Sequence, residues 1–147
     1  MSEDTGARPA PLVLDASVLT EVARADAGLM TLIQVWDDAG QPLVIPALAI
    51  TAASLDIGSP DAEDLLHGLE RLESSMVAPL RDTEQATRLA TVITRTGLDP
   101  WDAHAAAVAD ASVCPIATLD ADKWREHARD LDEPLYVIEI TDPEDKG

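Results

Sequence analysis

The chain has 147 residues, 46% hydrophobic and 26% charged, and its 28 acids against 10 bases give a formal charge of −18. That length suits one domain with a real core, and no stretch nears the roughly 20 apolar residues of a membrane span. A surface this acidic repels polyanions, which excludes nucleic-acid binding by bulk attraction; bases would have to cluster locally, or a cation intervene. The single cysteine, Cys114, excludes an internal disulfide framework and fits a reducing cytoplasm. Lying beside Val113 and Ile116, it reads as a buried thiol. The opening MSEDTGARPAP has no basic region followed by an apolar one, so a cytoplasmic protein without a signal peptide is expected.

Along the chain, residues 1–10 read as a polar tail, 11–140 as a single domain and 141–147 as a second tail. Apolar runs of strand length fall at 11–15 (PLVLD), 42–46 (PLVIP), 76–80 (MVAPL), 114–119 (CPIATL) and 134–140 (PLYVIEI). Several begin near a proline, which suits a strand's first position. Helices are expected between them at 17–25 and 28–38, where Leu29, Leu32, Ile33 and Trp36 recur at helical spacing. Residues 47–56, dense in alanine and β-branched residues, predict a helix buried nearly all round. In the next helix, 61–74, Ser59 is the N-cap and Pro60 takes the first position. The segment 82–96 buries Ala86, Leu89, Ala90 and Ile93 and stops at Gly97. Asp99 caps a helix over 100–112, and a last helix spans 121–130. Strands alternating with helices imply an α/β, three-layer sandwich around a parallel five-stranded sheet. In such sheets the functional edge is the carboxyl end of the strands.

Two acids close apolar strands at that edge: Asp15 in LVLDASVL and Asp120 in IATLDADKW. A third, Asp102, lies in the first turn of the helix before the second of these strands. Pairing the first and fourth strands would bring Asp15 and Asp120 together, with Asp102 aimed at the same spot. Three carboxylates, with no base counted as their partner, would repel one another, so a hard divalent cation, Mg²⁺ or Mn²⁺, is their natural partner. Such an ion can orient a phosphodiester and acidify an attacking water. Each acid also has an ordinary role: Asp15 and Asp120 as helix caps, Asp102 as an N3 acid beside the helix dipole. Capping alone does not explain why all three face one edge.

LVLDASVL, LVIPALAI, DPWDAHAAAVA and IATLDADKW, in this order and spacing, resemble the PIN-domain family, which includes the VapC toxins of toxin–antitoxin pairs. The likeness covers roughly residues 11–140. It implies a sheet in order 3-2-1-4-5, with Asp15, Asp102 and Asp120 as catalytic metal-site acids and Ser17 and Thr118 as supporting hydroxyls. It further implies Mg²⁺- or Mn²⁺-dependent cleavage of RNA, a small antitoxin partner and a homodimer. One departure stands out. The family's usual helix glutamate, about six residues past the proline that ends the second strand, falls on Ala52. Asp56 lies one turn further on the same face, and Asp122 could supply a fourth acid, though a first-turn helix acid is its simpler role. Arg81, Arg88 and Arg95 recur every seven residues and could grip an RNA backbone, while pairing of Arg88 with Glu84 is the simpler role.

His104 is turned roughly 200° from Asp102 on a helix and is not expected to be a ligand. His67 and His127 form no metal spacing. Trp124 is expected to pack the last helix on the sheet, and Trp36 and Trp101 to pack core or caps. A second reading is a degenerate PIN domain without nuclease chemistry that acts as a binding or regulatory module; Ala52 and the −18 charge favour it. Receiver and phosphatase-like sites are disfavoured, since Asp15-Ala16-Ser17 lacks their second acid. No phosphate-cradling GxxxxGK[ST] or GxGxxG occurs either.

Overall fold

The computed structural model describes residues 9–127 and 135–141. Five short strands, β1 (Leu12–Leu14), β2 (Leu43–Pro46), β3 (Ser75–Ala78), β4 (Ile116–Thr118) and β5 (Val137–Glu139), form one sheet in the order β3-β2-β1-β4-β5. Every neighbouring pair is parallel; Val13 sits beside Val44 on one side and Ile116 on the other. Among the described residues seven helices connect and cover them: α1 (Ala16–Ala23), α2 (Ala27–Asp38), α3 (Ala47–Ile57), α4 (Pro60–Glu70), α5 (Thr83–Thr96), α6 (Pro100–Ser112) and α7 (Ala121–His127). The α/β sandwich and its 3-2-1-4-5 order are thus as expected. Residues 128–130 of the last expected helix lie outside the described part.

Side-chain alternation along β1 divides the core. Leu12 and Leu14 face a cluster with Val18, Leu19, Leu29, Leu43 and Ile45. Val13 faces the other way, onto Ile116, Ala103, Ala106 and Trp124. Each large aliphatic so removed from water stabilises the fold by roughly 1.5–3 kcal/mol. Cys114 is buried among them, and burial pushes its thiol pKa up, as a structural cysteine requires.

Several local expectations need correction. Only Ala49 and Ala53 of α3 are buried and Leu55 is 73% exposed, so this helix is one-sided rather than enclosed. Helix α5 buries Leu89 but leaves Ala86 and Ala90 in solvent, because it packs on α6 beside the sheet rather than across it. It does end at Gly97, whose φ of 73° is the left-handed C-cap that glycine adopts without penalty. Asp99 precedes α6 with no side-chain capping bond; its carbonyl accepts from the Ala103 N–H instead. Arg81 lies ahead of α5, so it is not on a shared helical face with Arg88 and Arg95.

His104, in α6, ties the layers together. Its Nδ1 accepts the Leu48 N–H of α3 at 3.3 Å, and its ring also bonds the Pro79 carbonyl. Burial lowers its pKa below the ordinary value of about 6.5, with the Pro79 bond opposing. The folded state therefore holds this ring neutral more firmly than the unfolded chain does. Its contribution is complete above about pH 6.5 and is lost as pH falls through the depressed folded value. Urea midpoints from pH 7.5 to 5 should fall more steeply for wild type than for His104→Gln; parallel profiles would refute this.

Candidate functional site

β1 delivers Asp15 to the carboxyl edge of the sheet. Its N–H still joins the ladder, donating to the Ala117 carbonyl at 3.3 Å, while its extended backbone makes it the N-cap of α1. The carboxylate has no solvent exposure, so each oxygen must find donors within the protein. Oδ1 accepts from Ser17 Oγ at 2.6 Å and from the Val18 N–H at 3.2 Å. Oδ2 accepts from the Trp124 indole N–H at 2.9 Å and faces Lys123 Nζ at 3.5 Å. Capping and site roles therefore fall on the same carboxylate.

Ser17 and Thr118 stitch the end of β4 to the start of α1. Ser17 Oγ receives the Leu119 N–H at 3.0 Å and lies 3.3 Å from Thr118 Oγ1. Because the Ser17 proton goes to Asp15, Thr118 is the donor in that contact. Thr118 Oγ1 in turn accepts the Asp120 N–H at 3.0 Å.

Asp102 comes in from the first turn of α6, buried, and accepts from Lys123 Nζ at 3.1 Å. Burial raises its pKa; Lys123 opposes that rise, while Asp15 and Asp99 add to it. Asp120 is placed differently. It is exposed at the rim, where its Oδ1 caps α7 through the Lys123 N–H at 3.3 Å. The expected meeting of three acids without a base is thus corrected: two acids meet on one lysine and the third stands at the rim. Among the described residues, no group of three His, Cys, Asp or Glu side chains could hold a metal ion.

An open cleft of about 450 Å³ lies over this arrangement, lined by Ser17, Ala52, Asp56, Asp102, Asp120 and Lys123 among others. Ala52 presents a methyl group to it. Asp56 also lines it, but its carboxylate is held by Arg24 at 3.2 Å, and Arg24 pairs with Glu21 as well. Asp122 is exposed on α7 and paired with Arg125. Arg88 bonds Glu84 at 3.2 Å and lines a separate cleft, beside His104. Arg95 is exposed on α5.

The profile of the PIN domain matches residues 12–130, most of the sequence. The chain belongs to the PIN domain family. Among solved structures, the crystal structure of PAE2754 from Pyrobaculum aerophilum is similar at a TM-score of 0.52 and 22% identity, covering 86% of this chain and 83% of that one. At that identity the likeness speaks for the fold. No curated protein matches. No helix among the described residues is long and apolar enough to cross a membrane.

Asp15 and Asp102 offer a hard cation two carboxylates, where an ammonium now lies, and no third His, Cys, Asp or Glu joins them among the described residues. Mg²⁺ is commonly held by one or two carboxylates with waters completing its shell. Sequence reasoning missed Lys123, Arg24 and the polar role of Trp124. The spacing held a signal for two of them: a helix capped by Asp120 turns its third and fourth residues back toward the strand end. If the indole N–H is a structural donor to a buried anion, Trp124→Phe should cost roughly 1.5–3 kcal/mol in urea unfolding. A loss below about 0.5 kcal/mol would make Trp124 a filler of space.

Proposed function

We propose that this PIN domain is a divalent-metal-dependent endoribonuclease. The observation that carries the reading is the pair of buried carboxylates, Asp15 and Asp102, brought from distant elements to share one cation under an open cleft. In this reading Asp15 and Asp102 hold Mg²⁺ or Mn²⁺ and Asp120 contributes from the rim. Once bound, the ion supplies charge stabilisation at the scissile phosphate and lowers the pKa of an attacking water. The chain's own residues do the rest. Ser17, the Val18 N–H and Trp124 fix the Asp15 carboxylate, so this side chain is held in place for binding. Thr118 holds the backbone of Asp120 at the cleft. An ion in the cleft also offsets part of the −18 charge that RNA would otherwise meet. Arg81, Arg88 and Arg95 are further RNA contacts in this reading. A toxin role in the cytoplasm, with a small antitoxin and a homodimeric state, completes it on the strength of the family resemblance.

A second reading, a PIN domain that binds without cutting, is favoured by two observations: the methyl group of Ala52 in the cleft wall and the lysine resident on the acid pair. Single-stranded RNA incubated with the purified protein separates the two. The nuclease reading expects cleavage with Mn²⁺, none in EDTA, and a drop of about 100-fold or more in Asp102→Asn with its circular dichroism unchanged. RNA left intact by wild type across millimolar Mn²⁺ would hand the case to the binding module.

A further inference from the structure

Lys123 is one of two lysines in the sequence, and it points into the place where the acids need positive charge. Its Nζ is 3.1 Å from Asp102 Oδ1, 3.5 Å from Asp15 Oδ2 and 5.2 Å from the centre of the Trp124 ring. Both carboxylates are almost fully enclosed, whereas the lysine side chain keeps 21% of its surface toward the cleft. The ammonium therefore has a way out that the acids lack. Asp15 would keep three donors after it left: Ser17, the Val18 N–H and the Trp124 indole. Asp102, by contrast, has Lys123 as the hydrogen-bond partner described for its carboxylate.

We propose that Lys123 is a tethered counter-ion of the Asp15–Asp102 pair, and that a divalent metal must displace it to bind. Lys123 thereby sets the affinity of the site as a positioning residue. A side chain three residues from its own helix cap is at high local concentration and competes with any free ion for the same oxygens. With the lysine in place half of the pair's charge is offset without metal, so the fold does not depend on metal loading. The metal-loaded state appears only where the free ion outcompetes the tether. The proposal rests on the metal reading of the previous subsection.

Calorimetric titration of the full chain with MnCl₂ tests it on wild type, Lys123→Met and Lys123→Arg, alongside thermal melts in EDTA. Removing the charge should tighten Mn²⁺ binding about tenfold or more, because an unpaired acid pair is left to be neutralised. Lys123→Met should also melt lower than wild type in EDTA and regain the difference on adding Mn²⁺. Lys123→Arg, which keeps the charge, should stay close to wild type. Should the methionine variant not fold, Lys123→Gln takes its place with the same expectation. Equal or weaker Mn²⁺ binding by the neutral variant overturns the proposal, as does an arginine variant that binds as tightly as the neutral one. When both wild type and the neutral variant bind equally, the metal reading stands and the role of Lys123 alone is lost; binding by neither removes both.

Discussion

A carboxylate without solvent contact is tolerable only when donors meet its oxygens, and Asp15 draws those donors from separate parts of the chain. The first turn of α1 supplies Ser17 and a backbone N–H; α7 supplies the indole of Trp124 and the ammonium of Lys123. Because β1 is the central strand, satisfying this one group fixes where α1 starts and how α7 lies across the end of β4. Ser17 and Thr118 then lock the β4 end to the same spot. An apolar substitute at position 15 would spare the desolvation but leave these donors without an acceptor.

Much of this was legible in the sequence because it follows from chemistry that local pattern reveals. An acid ending an apolar run marks a strand end, and Pro60 and Gly97 punctuate helices by rules that hold in any context. The placement of Asp15 and Asp102 near each other required the long-range order 3-2-1-4-5, which no local pattern carries and which the PIN resemblance supplied. What stayed hidden depended on packing geometry. Whether Ala86 and Ala90 are covered depends on how far α5 reaches over the sheet, and alanine gives no strong signal either way. Leu55 faces outward because the buried stripe of α3 is set by Ala49 and Ala53. Asp99 looked like a side-chain cap, yet its carboxylate takes no part in the capping.

The lysine was hardest to see. The motif around Lys123 reads by its acids; the reach of the lysine into the acid pair is a property of three dimensions. Capping by Asp120 orients the first turn of α7, and Trp124, with no exposed surface, anchors it. Arg24 does the same for Asp56 and Glu21 at the far side of the cleft. Each base in this cleft is thus shared between two acids, so the chain offsets part of the local charge and the cleft keeps an acid excess like the molecule as a whole.

That excess bears on the outer strands. The sheet ends in β3 on one side and β5 on the other, and each shows an exposed apolar residue, Met76 at 62% and Ile138 at 46%. Sheet edges in general invite a second molecule to extend the sheet. Two bodies each bearing −18 repel before their strands can register, and salt screens that repulsion within about 10 Å at 0.1 M. Strand-to-strand aggregation is accordingly restrained from a distance, by a surface whose acids need no individual partner for the task.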